Sequence, residues 1–373
     1  MKAARARRTP RRTRHETSFD PDAAAQPGAG IFGLSHPQEH ALVVLLPVPW
    51  EATTSYGGGA SRAPAAIVRA SRQVDLLDRE FGTPWEHGIA MLPIPRAIAQ
   101  LSTKSRRDAG VVIEAGGVRP GVARLERAAA RVNDASLRVN AWVLREAERL
   151  LDAGKLVGVL GGDHSAPFGL IEALSQRHGA LGVLHLDAHA DLREAYEGFT
   201  WSHASIFHQV ITRLKGVRRL VQVGVRDYGA GELELIGREK GRIRTHFDAD
   251  LRRELFAGAT WTSLCHRIVE ELPEHVHISF DIDALSPDLC PHTGTPVPGG
   301  LSWAESCQIL RVLSESGRQV VGFDLCEVVP GPAGDDWDAN VGARLLYKLI
   351  GCAVQSRSRR GQKHERPPRR GGR

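Results

Sequence analysis

Apolar residues fall into two patterns along the chain. Short runs of four to eight, Leu-rich or β-branched and apolar almost throughout, alternate with longer stretches in which apolar residues recur every three or four positions. The first pattern is that of strands buried on both faces and the second that of amphipathic helices. Their alternation predicts a mainly parallel sheet covered on either side by helices, within one α/β domain. Strands are expected at 41–47, 156–160, 182–186, 219–224, 242–245, 275–281 and 319–325. Residues 125–155 predict a long helix, with Val132, Val139, Val143 and Leu150 at helical spacing and Gly154 where a C-cap falls. Residues 339–354 predict a closing helix with Val341, Leu345 and Leu349 on one face. Residues 100–123, with Arg106-Arg107 and Gly116-Gly117, show no clear period and are expected to lie outside the core layers.

Composition supports an ordinary folded protein: 373 residues suffice for a large core, and 42% hydrophobic with 25% charged residues excludes wholesale disorder. The most apolar run, 41–50, is broken by Pro47 and Pro49, so no segment predicts a membrane span. The net charge of +6 suggests nucleic acid until it is divided along the chain. Residues 1–14 carry seven Lys or Arg, and 356–373 carry eight against Glu365, a combined +14 that leaves the body at −8. Both ends are poor in apolar residues and are expected to be disordered basic tails (1–28 and 356–373) flanking a domain at 29–355. Nucleic acid is therefore unlikely as a partner except through the tails, and no zinc-finger, RRM or helix-turn-helix pattern accompanies them. The arginine pairs near the start lack an apolar stretch of the kind export signals need. Five cysteines without C-x-x-C spacing argue against disulfides and thiolate zinc sites, and a cytoplasmic location is expected.

The candidate chemistry follows three of the strands. Gly161-Gly162-Asp163-His164-Ser165 comes first, its glycines expected to let the chain turn sharply. In His185-Leu186-Asp187-Ala188-His189-Ala190-Asp191 the polar residues recur every second position, which in extended chain points them to one side. Ser279-Phe280-Asp281-Ile282-Asp283 repeats the device. Taken singly, D-x-D is most often a cap or a solvated turn and His185 a satisfied core histidine. Together, four carboxylates and two imidazoles at strand carboxyl ends require cations, and hard oxygen with imidazole favours Mn2+, with Ni2+, Co2+, Fe2+ or Zn2+ as substitutes.

These three motifs resemble the signatures of the ureohydrolase family, the arginases and agmatinases. The resemblance spans roughly residues 40–355 and extends to Pro291-His292-Thr293-Gly294-Thr295-Pro296, Gly299-Gly300-Leu301 and Asp324-Leu325-Cys326-Glu327. It implies a three-layer αβα sandwich around an eight-stranded, mainly parallel sheet, two Mn2+ per chain, release of urea from a small-molecule guanidino substrate, and a homo-oligomer, trimer or hexamer. Position by position it implies Asp187 and Asp281 bridging both ions, His164 and Asp191 completing one, and His189 and Asp283 the other. Asp163 would orient its neighbours. Asp191, His203 and Glu327 are the implied catalytic residues. Glu327 would grip the guanidinium by a two-oxygen fork, and His203, in Trp201-Ser202-His203-Ala204-Ser205, would transfer protons at the mouth.

Arginine is disfavoured as substrate. The arginase segment for the amino-acid end is absent after Asp191, and Gly224-Val225-Arg226-Asp227 is followed by Tyr228-Gly229 where a second acid is expected. The loop around His203 resembles agmatinases more closely, so agmatine, cleaved to putrescine and urea in polyamine biosynthesis, is the leading expectation. Guanidino acids, free guanidine or a formimino compound are the alternatives, and Glu194 or Glu197 are candidates for a distal ammonium. Two rivals are a catalytically silent metal-binding relative and a single-zinc deacetylase. The first is opposed by the full ligand set with Glu327, the second by His164 and Asp191.

Overall fold

The computed structural model describes residues 19–26 and 28–364. The strands are β1 (Val43–Val48), β2 (Ile89–Met91), β3 (Leu156–Gly161), β4 (Leu181–Leu186), β5 (Val217–Val225), β6 (Ile243–Phe247), β7 (His275–Asp281) and β8 (Gln319–Cys326). They form one sheet in the order β2-β1-β3-β8-β7-β4-β5-β6, and every pairing is parallel. Seven strands fall on the expected runs. The eighth, β2, has only three residues at the sheet's edge, too few to show a period.

The helices are α1 (Ala63–Ala70), α2 (Arg96–Ile113), α3 (Ala123–Asp152), α4 (Phe168–His178), α5 (Ile206–Arg213), α6 (Ala230–Arg238), α7 (Asp248–Phe256), α8 (Trp261–Glu270), α9 (Trp303–Glu315) and α10 (Trp337–His364). Because side chains alternate along a strand, the sheet serves two cores. Val43, Leu45, Leu184, Leu186, Phe323 and Leu325 face α1 and α7–α10, while Val44, Leu46, Val157, Val159 and Val183 face α2–α6. The architecture is the three-layer αβα sandwich. Helix α3 ends as its sequence suggests, with Gly154 at φ +75° and the Lys155 N–H closing back on the Leu150 carbonyl.

Two expectations change. Residues 96–113 are not an excursion but helix α2, packed on the second core. Its buried face is Ile98, Ser102, Ser105, Ala109 and Val112, a helical spacing that hydrophobicity alone hides because two of the five are serines. Ser102 Oγ accepts the Glu51 N–H at 2.9 Å, which explains a hydroxyl at a buried position. Helix α10 also runs past the expected end at 354, through the beginning of the segment read as a tail. The rest of that segment, 365–373, and residues 1–18 and 27 lie outside the described residues.

Consecutive strands β3 and β4 are not neighbours, for β8 and β7 lie between them. The carboxyl ends of β3, β8, β7 and β4 therefore stand side by side at the centre of the sheet, and each is followed by one of the polar motifs.

Candidate metal centre and active site

The Gly161-Gly162 pair brings His164 to the centre by close approach, not by an unusual backbone turn. Neither glycine has a positive φ, but a Cβ on Gly162 would lie 1.9 Å from the Trp50 carbonyl oxygen, and one on Gly161 2.5 Å from Cys326 Sγ. The Gly162 N–H reaches the Val48 carbonyl, the Asp163 N–H the Trp50 carbonyl, and the Gly162 carbonyl accepts from Glu327 N. The loop is thus wedged between the ends of β1 and β8. Asp163 lies behind it, accepting from Ser165 N and Oγ and from Ala52 N, so it holds the loop.

His164 points into the cluster. Its Nδ1 is 2.9 Å from Asp187 Oδ2, 3.2 Å from Asp191 Oδ2 and 3.2 Å from Asp281 Oδ2. The other face of the ring fixes which nitrogen carries the proton. Ser279 Oγ donates to Asp324 Oδ1 at 3.0 Å, so its oxygen must accept from His164 Nε2–H, also at 3.0 Å. His164 Nδ1 then presents a lone pair to three carboxylate oxygens, an arrangement that only a cation makes cohesive. With protein groups alone that cation is a proton: the three acids outweigh burial and pull the imidazole well above its ordinary pKa. Burial and the facing carboxylates of Asp283 and Asp187 push Asp281 well up, and burial with Asp187 raises Asp191 to about 7. Divalent ions fit this donor set, since they replace the proton and cancel the repulsion.

The remaining candidates converge on the same place. His189 Nδ1 is 3.1 Å from Asp283 Oδ2 and 3.4 Å from Asp187 Oδ1. His164, His185, Asp187 and Asp191 form one group able to hold an ion, and Asp187, His189 and Asp283 a second, sharing Asp187. The period-two pattern does not survive as strand. β4 ends at Leu186, Asp191 has φ +52°, and Asp283 sits in a one-turn 3-10 segment with its N–H on Asp281 Oδ1. Hydrogen bonds keep the side chains converging: His189 N–H donates to Asp187 Oδ1, and Ala188 N–H to Asp283 Oδ1.

Glu327, just past β8, is buried with φ +58°, and its Oε1 accepts the His164 N–H at 2.9 Å. Burial, then Asp281 and Asp163, push its carboxyl well up. His203 lines a cavity of about 140 Å³ together with His189, Asp191, Asp227 and Tyr196, and its Nδ1 is 3.3 Å from Thr53 Oγ1. Burial and the neighbouring His189 and His164 lower His203 to about 3, so the ring is neutral at pH 7. Neither Glu194 nor Glu197 lines this cavity; Glu194 belongs to a separate surface hollow with His208 and Arg213.

A sequence model of the Arginase family matches residues 41–352. The chain belongs to the arginase family. It is 35% identical over 317 residues to an N(1)-aminopropylagmatine ureohydrolase of Thermus thermophilus, covering 84% of this chain and 91% of that protein. It is 28% identical over 321 residues to a guanidinobutyrase of Pseudomonas aeruginosa, covering 82% and 95%. Among solved structures, the agmatine ureohydrolase of Thermoplasma volcanium shares the fold, with a TM-score of 0.66 at 21% identity over 87% of this chain and 94% of that one.

Several residues of this arginase-family site have roles that the motifs alone do not show. Ser279 and Asp324 set the His164 tautomer, and His277 Nε2 donates to Asp324 Oδ2 at 2.6 Å. Glu232 clamps the loop after Asp191 by accepting from Leu192 N and Gly229 N. His185, read as a core histidine, is buried but lies 2.8 Å from Asp187 Oδ2. Only its place two residues before Asp187 hinted at this.

Proposed function

We propose that this arginase-family hydrolase uses two divalent ions, Mn2+ by preference, to release urea from a guanidino compound that carries a second, cationic amine: agmatine, or its N(1)-aminopropyl derivative. The observation that carries this reading is the convergence of four aspartates and two histidines beside a buried, unpaired-by-cation Glu327. His164, Asp187, Asp191 and Asp281 would hold one ion and Asp187, His189, Asp281 and Asp283 the other. Two such ions would supply hydroxide near neutral pH by lowering the pKa of water bound to them.

The protein's own groups do the rest. Glu327 presents two acceptors to the planar guanidinium and orients its carbon toward the ions. As that cation arrives it offsets the burial and the neighbouring acids that raise the Glu327 carboxyl. His203, neutral and hydrogen-bonded to Thr53, would take up the O–H proton of the attacking hydroxide and hand one to the departing amine, ending neutral again. Asp227 pairs in a β-bridge with His189, so the two residues stand side by side in the cavity wall. Its carboxylate makes no hydrogen bond or ion pair among the described residues, which leaves it available for a distal ammonium. Arg193, in the same wall, would suit a guanidino acid, but its Nε stands 3.6 Å from Glu232 and its guanidinium lies over the Tyr196 ring. The free charge at the mouth is therefore negative.

The same reading carries a homo-oligomer, trimer or hexamer, in the cytoplasm, where five buried free thiols suit a reducing environment. No helix among the described residues is long and apolar enough to cross a membrane. Urea release from agmatine, N(1)-aminopropylagmatine, guanidinobutyrate, arginine and guanidine, measured with Mn2+ and after chelation, tests the proposal. Metal-dependent turnover fastest on the two amines supports it. Preference for guanidinobutyrate, or turnover indifferent to chelation, overturns it.

A further inference from the structure

One register line of the sheet is polar across five neighbouring strands. Thr245 of β6 pairs with Gln222 of β5, Gln222 with His185 of β4, His185 with Ser279 of β7, and Ser279 with Asp324 of β8. The next partner, Val159 of β3, returns the line to apolar residues. His185, Gln222, Ser279 and Asp324 face the α2–α6 side, because their chain neighbours Leu184, Leu186, Val221, Val223, Ile278, Phe280, Phe323 and Leu325 face the other core, and Thr245 joins them through its hydrogen bond to Gln222. Phe207 of α5 covers His185, ring centroids 4.0 Å apart. Burying such a row is costly unless every group is satisfied and the arrangement serves some end.

Proton positions along the Thr245 half follow from donors and acceptors. Gln222 Nε2 lies 2.8 Å from the Ala190 carbonyl, which can only accept, so the amide orientation is fixed. Its Oε1 accepts from Thr245 Oγ1–H at 2.8 Å. The second Nε2 proton points to His185 Nδ1 at 3.0 Å, which makes Nδ1 the bare nitrogen. The His185 proton therefore sits on Nε2, directed at Asp187 Oδ2, 2.8 Å away. Asp187 is the acid shared by both groups able to hold an ion, and its other oxygen accepts the His189 N–H at 2.6 Å.

From this geometry we infer that Thr245, Gln222 and His185 are a positioning relay: across three strands, from the edge of the sheet, they lock the His185 tautomer and so fix the direction in which Asp187 offers its oxygens to the metal ions. None of the three is needed to touch substrate. The inference rests on the metal-centre reading above. It explains a glutamine in the middle of a buried strand, where Leu or Val would satisfy packing.

The test uses the full chain, stripped of metal by chelation and titrated with Mn2+ by calorimetry and with Co2+ by visible absorption. Gln222→Met keeps the length without the donors, Gln222→Glu offers His185 acceptors only, and Thr245→Val removes the far anchor while leaving every site residue in place. We expect two ions per wild-type chain, ten- to hundredfold weaker binding and an altered Co2+ spectrum in both Gln222 variants, and a smaller loss of several-fold in Thr245→Val. If Gln222→Met and Thr245→Val bind both ions with wild-type affinity and spectrum, the relay is wrong. A second readout does not depend on metal. Imidazole nitrogen resonances of the metal-free protein, with His185 assigned by their loss in His185→Asn, should show a bare Nδ1 and a protonated Nε2, and a protonated Nδ1 overturns the inference. Wild-type protein that takes up neither ion would overturn the metal reading instead, and the resonances tell the two failures apart.

Discussion

Asp191 and Glu327 share a backbone that side-chain-bearing residues avoid, φ +52° and +58°, at a cost of about 1–2 kcal/mol each. Such strain persists only where surrounding contacts enforce it, and both residues turn a carboxylate into the cluster at the end of a strand. Replacing Glu327 by Gln keeps the size and the acceptor for His164 N–H but places an N–H donor against a guanidinium donor. We expect kcat/KM to fall about a hundredfold, from the loss of roughly 3 kcal/mol of charge-assisted pairing, with metal content unchanged. A variant with near wild-type turnover would place the anchor elsewhere; one that loses metal would move Glu327 into the ion's shell. Asp227→Asn should raise KM for agmatine about tenfold, ~1.4 kcal/mol, yet leave an alkylguanidine without a second charge unaffected. An equal effect on both substrates would deny Asp227 its partner. At this scale the motifs were legible because carboxylates and imidazoles at every second position have few other uses. Gln222 and Thr245 were not, and the role of Ser279 was not, since their meaning arises only when strands distant in sequence are placed in register.

Among the elements, the loop from β3 to α4 has the least freedom. A Cβ on Gly162 would meet a backbone carbonyl of the β1 end at 1.9 Å, and no rotamer change relieves a clash with main chain. Gly162→Ala must therefore push the end of β3 away from β1 and carry His164 and the Glu327 N–H contact with it. We expect a destabilisation of about 3 kcal/mol or more and loss of one ion, read by thermal melting and elemental analysis. Melting and metal content both at wild-type values would show that the loop gives way more easily than its contacts imply. By sequence, the glycines here suggest a turn, and the true reason, close approach of two strand ends, is invisible without their pairing. The same limit explains α2. Its interior stripe is written partly in serine, and Ser102 reads as surface until Glu51 N–H is found against it. The long strands and α3 were legible because burial on one side or both leaves a direct period in hydrophobicity.

For the whole molecule, the question is where the folded body stops. At the amino-terminal side Ile31, Phe32 and Leu34 are already core, and the Phe32 N–H donates to Ser71 Oγ at 2.8 Å. At the other side charge and composition suggest a boundary at 355, but Ser356 is buried, and its Oγ accepts the N–H of Val320 near the start of β8 at 3.0 Å while donating to the Ala353 carbonyl. A serine among arginines gives no sign of this, because what makes it structural is a strand end 36 residues away. The basic ends and the folded body can be separated by experiment. A chain reduced to residues 19–364 keeps every proposed site residue, so we expect its urea release to match that of the full chain. Ser356→Ala leaves the helix intact but strands the Val320 N–H, a buried donor without a partner, and should lower stability by about 1–3 kcal/mol without changing kcat. Loss of turnover in a folded 19–364 chain would give the tails a part in the reaction. An unchanged melting temperature in Ser356→Ala would return the boundary to 355, because Ser356 would then contribute nothing to β8 that solvent could not supply.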